Sequence, residues 1–318
     1  MSYLAESCRH IVATGAAIGQ EFSLTRLSAV LDEEGEEPVR QALEEARKQG
    51  IIEEITESPN KYRFAHKMIQ EVAEREFSGT KRANLHERIG LMLEEQYGAD
   101  SAKHVTELAR HFEQADSDEI GGKTAYSGRL AGEAALSAYT FEEAVAHFSR
   151  AIAVKENMRM DDEMARSFFG LGQAQLGLYM LDESLDNLDK AFEYFEKTGD
   201  AERMAAIAGQ PRLFAFIDRM ESRIATWVER SIEVTPDDSP LKPGLLSHRG
   251  YLSYKISRDP HQTESVFRHA LAISEGLQNP AAEIPIYCYW WALDRVQTNR
   301  GAYFVGVRAD FSVISPVS

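Results

Sequence analysis

The sequence has little of what most metalloproteins, membrane proteins and nucleic-acid-binding proteins contain. It has two cysteines, Cys8 and Cys288, at no metal-binding or redox spacing, which favours a reducing cytoplasm. No apolar run approaches the roughly 18 residues that span a bilayer. Positive charge is scarce, because 35 Lys and Arg face 51 Asp and Glu, for a net charge of −16. This balance disfavours nucleic acid and anionic membranes as partners.

Motifs for catalysis are also missing from the sequence. Neither G-x-S-x-G nor H-E-x-x-H occurs. His104 and His111 lie two turns apart on one predicted helix, too far apart to hold one metal ion without a third partner. We therefore predict a non-enzyme without a cofactor or metal. An enzyme with an unrecognised site is the alternative.

One stretch approaches a phosphate-binding loop, SDEIGGKT at 117–124. Gly122, Lys123 and Thr124 fit the motif G-x-x-x-x-G-K-[ST], but Ser117 stands where its first glycine belongs. The preceding residues, 101–115, form a predicted helix rather than the strand that such a loop follows. We interpret the stretch as a linker between helices and predict no nucleotide binding.

A repeat organises the second part of the chain. Small residues recur at intervals of 40, 40 and 39 residues, and a large apolar residue stands three positions before each of them. Glycine occurs 19 or 20 residues before three of the small residues. The small residues are Ala151, Ala191, Ser231 and Ala270, the large ones Phe148, Leu188, Val228 and Phe267, and the glycines Gly132, Gly172 and Gly250. A fixed period of this kind predicts helix pairs stacked in a solenoid, with at least eight helices and no sheet over 124–279.

The segments RLAGEAALSAYTFEEAVAHFSRAIAV and FFGLGQAQLGLYMLDESLDNLDKAFEYF resemble tetratricopeptide repeats. In stacked pairs the first helices line a concave groove. Helical phase relative to the glycines predicts which residues face it, and a core position is the alternative for Phe169 and Phe216. The candidates are Arg129, Glu133, Phe169, Gln173, Phe216, Tyr251 and Tyr254. A close helix crossing is expected at Gly132 and at Gly172.

The first 79 residues predict three helices followed by a hairpin, which is the winged-helix order. The hairpin strands are predicted at 51–55 and 62–66, and Ser23 is the predicted N-cap of the second helix. The third helix, 39–49, carries no surplus of positive charge, although a helix that reads a DNA major groove usually does. A DNA-binding regulator is therefore the alternative to a packing and switching module.

Four segments resemble the winged-helix region of STAND-type signalling ATPases: RFAHKMIQEVAEREF, AAIGQEFSLTRLSAVL, GIIEE and KRANLHERIGLML. The resemblance is to bacterial regulators that place an ATPase module before a winged helix and tetratricopeptide repeats, such as ATPase-linked adenylate or guanylate cyclases and large LuxR-type regulators. It implies that His66 matches a histidine that senses nucleotide phosphate. Without the nucleotide-binding domain that role would be vestigial, and His66 would simply cap a helix.

We therefore predict a mainly α chain with a winged-helix-like domain at 1–79, bridging helices at 80–123, a repeat solenoid at 124–297 and an irregular tail at 298–318. The predicted function is a cytoplasmic, non-catalytic module of a bacterial signalling protein. It would bind a protein or peptide in the groove and act beside an ATPase or cyclase module, in cis or in trans. Nucleic acid and membrane are not expected partners.

Overall fold

The computed structural model describes residues 4–31, 35–115, 120–210, 217–257 and 259–278, together with 280, 283, 284, 286, 287, 289 and 290. The chain divides into two compact units, Met1–Ser184 and Leu185–Ser318. It is mainly α, as the sequence predicts. The predicted tail at 298–318 lies outside the described residues.

The first unit begins with three helices and three short strands in the winged-helix order. These are α1 (Glu6–Ile18), β1 (Glu21–Ser23), α2 (Leu24–Leu31), α3 (Glu36–Lys48), β2 (Ile52–Glu54) and β3 (Lys61–Phe64). The strands form an antiparallel sheet in the order β1-β3-β2, so the predicted hairpin is present. The sequence predicts no strand at β1. Its last residue, Ser23, accepts a hydrogen bond from the amide of Arg26 (3.1 Å), which caps α2 as predicted.

Three further α-helices and a 3₁₀ helix (Gly98–His104) continue the first unit: α4 (Lys67–Glu74), α5 (Gly79–Tyr97) and α6 (Val105–Ala115). Leu85, Ile89 and Leu93 of α5 are buried in the same apolar core as Phe22 and Phe64 of the sheet. Helices α5 and α6 therefore pack with the winged-helix elements. The boundary between residues 79 and 80 stays a prediction.

Helices α7 (Gly121–Ser137), α8 (Phe141–Ala153) and α9 (Asp162–Gly177) complete the first unit with the start of α10 (Leu181–Thr198). A methyl group on Gly128 would lie 3.3 Å from Ala151 Cβ, and one on Gly132 would lie 2.8 Å from the ring of Phe148. The two helices therefore run antiparallel and cross closely. On its other side the Phe148 ring meets α9, where a methyl group on Gly170 would lie 2.2 Å away.

The second unit contains the rest of α10, then α11 (Ala201–Ala208), α12 (Ile217–Val234), α13 (Lys242–Ser257) and α14 (Pro260–Gly276). Helix α11 is short because it ends before Gly209 and Pro211, both unfavourable inside a helix. From residue 121 to residue 276 the described residues form eight helices and no strand. This confirms the predicted helical architecture.

The repeat phase is also confirmed by burial. All four small anchors and all four large residues are at most 2% exposed. In the first helix pair, Gly132 of the first helix faces the large Phe148 of the second helix. The small Ala151 approaches Gly128, one turn away. Gly172 is buried, and its carbonyl accepts a hydrogen bond from Ser184 Oγ (2.8 Å).

Gly132→Ala should destabilise the protein by about 1–3 kcal/mol, although alanine favours a helix, because the Phe148 ring cannot move away from the new methyl group. Gly122→Ala is the matched control, since Gly122 lies on the same helix with nothing within 4 Å of the added methyl. That change should stabilise by about 0.5–1 kcal/mol. Denaturant melts measure both changes, and equal effects at the two sites would contradict the packing described.

Candidate functional site

A candidate site lies along two neighbouring first helices, α7 and α9, which contact each other in the first unit. We call it the first-helix face. Its residues are Tyr126, Arg129 and Glu133 of α7, and Arg166, Phe169 and Gln173 of α9. Each α9 residue stands 40 positions after its α7 equivalent, so the repeat itself places the two sets side by side.

An arginine network fixes the polar part of this face. Arg129, only 2% exposed, donates from Nη1 to Glu133 (2.6 Å) and from Nε to Glu163 (2.6 Å). Burial acts to lower the pKa of Arg129, but its two carboxylate partners outweigh burial and raise the pKa, so the guanidinium stays charged. Arg166 Nη2 lies 3.6 Å from Glu133 Oε1. The carboxylates of Glu133, 43% exposed, and Glu163, 20% exposed, are therefore held in place by a buried cation.

Apolar and aromatic groups flank the network. The ring of Tyr126 is 54% exposed and lies 5.4 Å from the guanidinium carbon of Arg129. Phe169 and Gln173 are partly buried, with part of each side chain open to solvent. The face thus combines aromatic groups with fixed charges of both signs, which is a composition typical of protein interfaces.

The other predicted site residues do not belong to the first-helix face. Tyr251 and Tyr254 lie in α13 of the second unit, each only 8% exposed, so we correct them from groove residues to core residues. Tyr251 packs against Tyr289, with the ring centroids 5.5 Å apart. Phe216 lies outside the described residues. His66 is the exposed N-cap residue of α4, but its side chain makes no capping hydrogen bond.

The described part of the partial phosphate motif, residues 120–124, is helical and not a linker. Gly121, Gly122 and Lys123 form the first turn of α7, and Lys123 pairs with Glu94 of α5. Beside this pair lies a cavity of about 210 Å³ whose walls include Val105 and Phe112. A second cavity, of about 250 Å³, lies in the second unit. Both are smaller than the roughly 300 Å³ at which small-molecule sites begin.

Two buried histidines of the first unit form a pair that the sequence does not predict. His86 Nδ1 and His111 Nδ1 are 3.0 Å apart, and both residues are fully buried. His111 Nε2 accepts from Arg110 Nη2 (2.8 Å), so its proton sits on Nδ1 and is donated to His86. Burial and the charge of Arg110 lower the pKa of His111 to about 2. The pair is shielded from solvent, and it links α5 to α6.

No sequence signal could have identified this pair, because His86 and His111 lie 25 residues apart and on different helices. His104, which the sequence places two helical turns before His111, stacks on the ring of Tyr97 with the ring centroids 3.8 Å apart. Within the described residues no group of three or more His, Cys, Asp or Glu side chains could hold a metal ion. The same residues contain no helix with the length and apolar character needed to cross a membrane.

Comparison with known proteins yields one weak structural similarity. No protein-family model matches the chain, and no curated protein is significantly similar. Among solved structures, a Signal Transduction ATPase with Numerous Domains (STAND) protein with a tetratricopeptide repeat sensor, from Pyrococcus horikoshii, aligns at 14% identity with a TM-score of 0.35. The alignment covers 93% of this chain and 49% of that one, so the chain spans about half the length of the STAND protein. A similarity this weak assigns neither family nor function.

A pH-dependent stability follows from His248, a 2% exposed residue of α13 whose pKa burial lowers to about 4. Folding keeps this histidine neutral, so protonation favours the unfolded chain. Its contribution to the unfolding free energy is fully present above the unfolded-state pKa of about 6.5, and it is lost as pH falls towards the folded-state pKa. Between pH 6.5 and 4 we expect its share of the unfolding free energy to fall by about 1.4 kcal/mol per pH unit.

His248→Phe should remove that share, because phenylalanine does not titrate and can keep the edge-on contact with Tyr289 (centroids 4.5 Å apart). Urea melts of both proteins from pH 8 to pH 4 measure the difference, and the values at pH 8 supply the reference. Parallel pH profiles for the two proteins would show that His248 takes up its proton as readily when folded as when unfolded.

Proposed function

We propose that this chain is a non-catalytic regulatory module that binds a protein or peptide on the first-helix face. The observation that carries the proposal is the repetition of that face. Two helices present equivalent positions 40 residues apart, and the buried Arg129 holds the carboxylates of the face in fixed positions. An interface that is ordered before binding loses less conformational entropy when a partner binds.

The electrostatics of the face favour a polypeptide partner over a single ion. Arg166 is 34% exposed and Glu133 43% exposed at their side chains, so both signs of charge are accessible beside Phe169. A peptide can pair with both charges and cover the aromatic ring at once, because it carries donors, acceptors and side chains along its length. Tyr and Arg, the residues most often found at binding hot spots, both belong to the face.

The regulatory part of the proposal is supported by the resemblance of the sequence to STAND-type regulators. We propose that an ATPase or cyclase module acts with this chain, in cis or in trans, in the cytoplasm of a bacterium. Occupation of the first-helix face would then be the event that is sensed. His66, exposed at the start of α4, is the residue at which such a module would contact the winged-helix elements.

The face is tested by comparing two lysine variants, one at the partly buried Phe169 and one at the exposed Met158, in a quantitative pull-down from lysate. Phe169→Lys places a charge in the centre of the face, and Met158→Lys places the same charge at a 58% exposed position after α8. We expect at least one protein to be retained by wild type and by Met158→Lys but reduced about tenfold or more with Phe169→Lys. Identical sets of bound proteins for all three would refute the assignment, provided that melts show Phe169→Lys to be folded.

The DNA-binding alternative finds little support in the exposed surface of α3. Arg40 pairs with Glu36 (2.6 Å), and Glu44 pairs with Arg47 (2.8 Å) and lies 3.9 Å from Lys48. The cations that would contact phosphates therefore already have carboxylate neighbours on the same helix. A DNA backbone approaching α3 would meet these carboxylates, and the resulting repulsion opposes binding.

We expect the full chain to bind duplex DNA with a Kd weaker than about 10 μM at physiological salt, since the net charge is −16 and the cations of α3 are paired. Fluorescence anisotropy with a labelled random-sequence duplex measures this over a salt series. Submicromolar binding that weakens steeply with salt would favour the DNA-binding regulator instead.

A further inference from the structure

A pocket of about 210 Å³ lies beside the first-helix face, between helices α5, α6 and α7. Val105, Leu108 and Phe112 of α6 form its apolar floor, and each of them is at most 9% exposed. Its rim includes Gly122 and Tyr126 of α7, which are exposed. A buried floor with an exposed rim describes a pocket that is open to solvent, and we call it the α6 pocket.

A carboxylate and an ammonium group lie at the rim of the α6 pocket. Glu94 of α5 is paired there with Lys123 of α7, and the two side chains are 37% and 44% exposed. A carboxylate has about four lone-pair sites, so Glu94 can accept a further hydrogen bond while it stays paired with Lys123. The pocket therefore combines an apolar interior with a hydrogen-bond acceptor at its edge.

The volume of the α6 pocket suits one aromatic side chain. An apolar protein cavity of roughly 150 Å³ holds benzene, so a pocket of about 210 Å³ has room for the two fused rings of an indole. Sites for whole small molecules usually begin at about 300 Å³. A single side chain of a polypeptide therefore fits this pocket better than a free ligand does.

The second unit shows how this chain accommodates an indole in similar surroundings. Trp227 is 3% exposed, and its ring is stacked with that of Phe192, with the ring centroids 6.0 Å apart. Its Nε1 donates a hydrogen bond to Asp189 Oδ1 (2.9 Å). An aromatic neighbour and a carboxylate acceptor thus satisfy both the apolar and the polar part of an indole. The α6 pocket offers the same two groups, with Phe112 in its floor and Glu94 at its rim.

We propose that the α6 pocket receives a tryptophan side chain of the protein or peptide that binds the first-helix face. The indole ring would lie on the apolar floor, and its N–H would donate to the Glu94 carboxylate. Tyr126 connects the two surfaces, because its exposed ring belongs to the first-helix face and also lines the pocket. The inference rests on the proposed function and adds to it the residue that anchors the partner. Tryptophan is among the residues most enriched at binding hot spots.

Other side chains satisfy only part of the α6 pocket. A leucine or phenylalanine side chain would cover the apolar floor, but it has no donor for Glu94. A charged side chain would lose its hydration against Val105, Leu108 and Phe112. Tryptophan combines a large apolar ring system with an N–H donor at its edge.

The test uses the full chain and a glycine–serine peptide with one central tryptophan, which carries fluorine on the indole and is observed by fluorine NMR. Unlabelled competitor peptides carry tryptophan, 1-methyltryptophan, which keeps the rings but has no N–H, or leucine. We expect the 1-methyltryptophan and leucine peptides to compete about tenfold more weakly than the tryptophan peptide, because neither can donate to Glu94. Equal competition by all three peptides would overturn the proposal.

Matched serine substitutions decide whether the peptide lies in the α6 pocket. Ser127 lines the pocket and Ser137 is exposed, and each hydroxyl donates to the carbonyl oxygen four residues earlier on α7. Ser127→Leu fills the pocket, whereas Ser137→Leu adds the same side chain outside it. We expect Ser127→Leu to weaken binding of the tryptophan peptide about tenfold or more, and Ser137→Leu to leave it unchanged. Equal affinity of the two variants would overturn the proposal.

A second filling variant is used if Ser127→Leu melts at a lower temperature than wild type. Gly122 also lines the pocket, and nothing lies within 4 Å of a Cβ added there, so Gly122→Leu places a side chain at the rim without a clash at its Cβ. We expect the tryptophan peptide to bind this variant about tenfold more weakly than wild type. An unchanged affinity would overturn the proposal.

The role of Glu94 is tested by Glu94→Ala, which removes the acceptor and leaves the apolar floor. With this variant the tryptophan and 1-methyltryptophan peptides should compete equally, because the N–H no longer has a carboxylate to meet. A tenfold preference for the tryptophan peptide that persists in Glu94→Ala would overturn the placement of the indole N–H at Glu94.

The same variants separate this inference from the proposed function. In the pull-down from lysate, a partner that is lost with Phe169→Lys but retained with Ser127→Leu would overturn the tryptophan anchor and leave the proposed function standing. The reverse result is a set of bound proteins unchanged by Phe169→Lys, together with a tryptophan peptide whose binding Ser127→Leu abolishes. It would support the α6 pocket as a tryptophan site and overturn the first-helix face.

Discussion

The packing of one phenylalanine between two helical glycines is the constraint on which the repeat region of the first unit depends. The ring of Phe148 lies against Gly132 on α7 and Gly170 on α9, and the residue is fully buried. A Cβ on either glycine would force the helices apart. The close approach of α7 and α9 therefore sets the spacing of the first-helix face, and it also sets the spacing of the turns that end these two helices.

The same packing of an aromatic ring against a helical glycine recurs elsewhere in the chain. Aromatic rings pack on helical glycines at Gly15 with Phe22, Gly90 with Phe112, Gly177 with Phe141 and Gly250 with Phe267. Glycine inside a helix costs about 1 kcal/mol relative to alanine, so each pair needs the buried area of its ring to offset that cost. Because of this packing, a side chain added at one of these glycines would destabilise the fold. Gly122 differs, because it has open space around it.

The sequence predicts the parts of this structure that repetition and helical periodicity encode. The repeat period, the buried anchors and the hairpin at β2 and β3 all follow from local pattern. Strand β1 has only three residues and depends on pairing with β3, so no local signal identifies it. The burial of Tyr251 and the pairing of His86 with His111 depend on contacts between different helices. Helical phase alone could not separate a groove position from a core position at Tyr251.

The surfaces of the first unit differ in how their charged side chains are paired. On α3 the acids and bases pair with each other, and on the first-helix face Arg129 holds Glu133 and Glu163 in place. Because the attraction of exposed charges falls off within about 8 Å at physiological salt, each surface selects partners by its own residues and not by the net charge of the chain. A partner of the first-helix face would therefore meet fixed charges of both signs there, whatever the net charge of the chain.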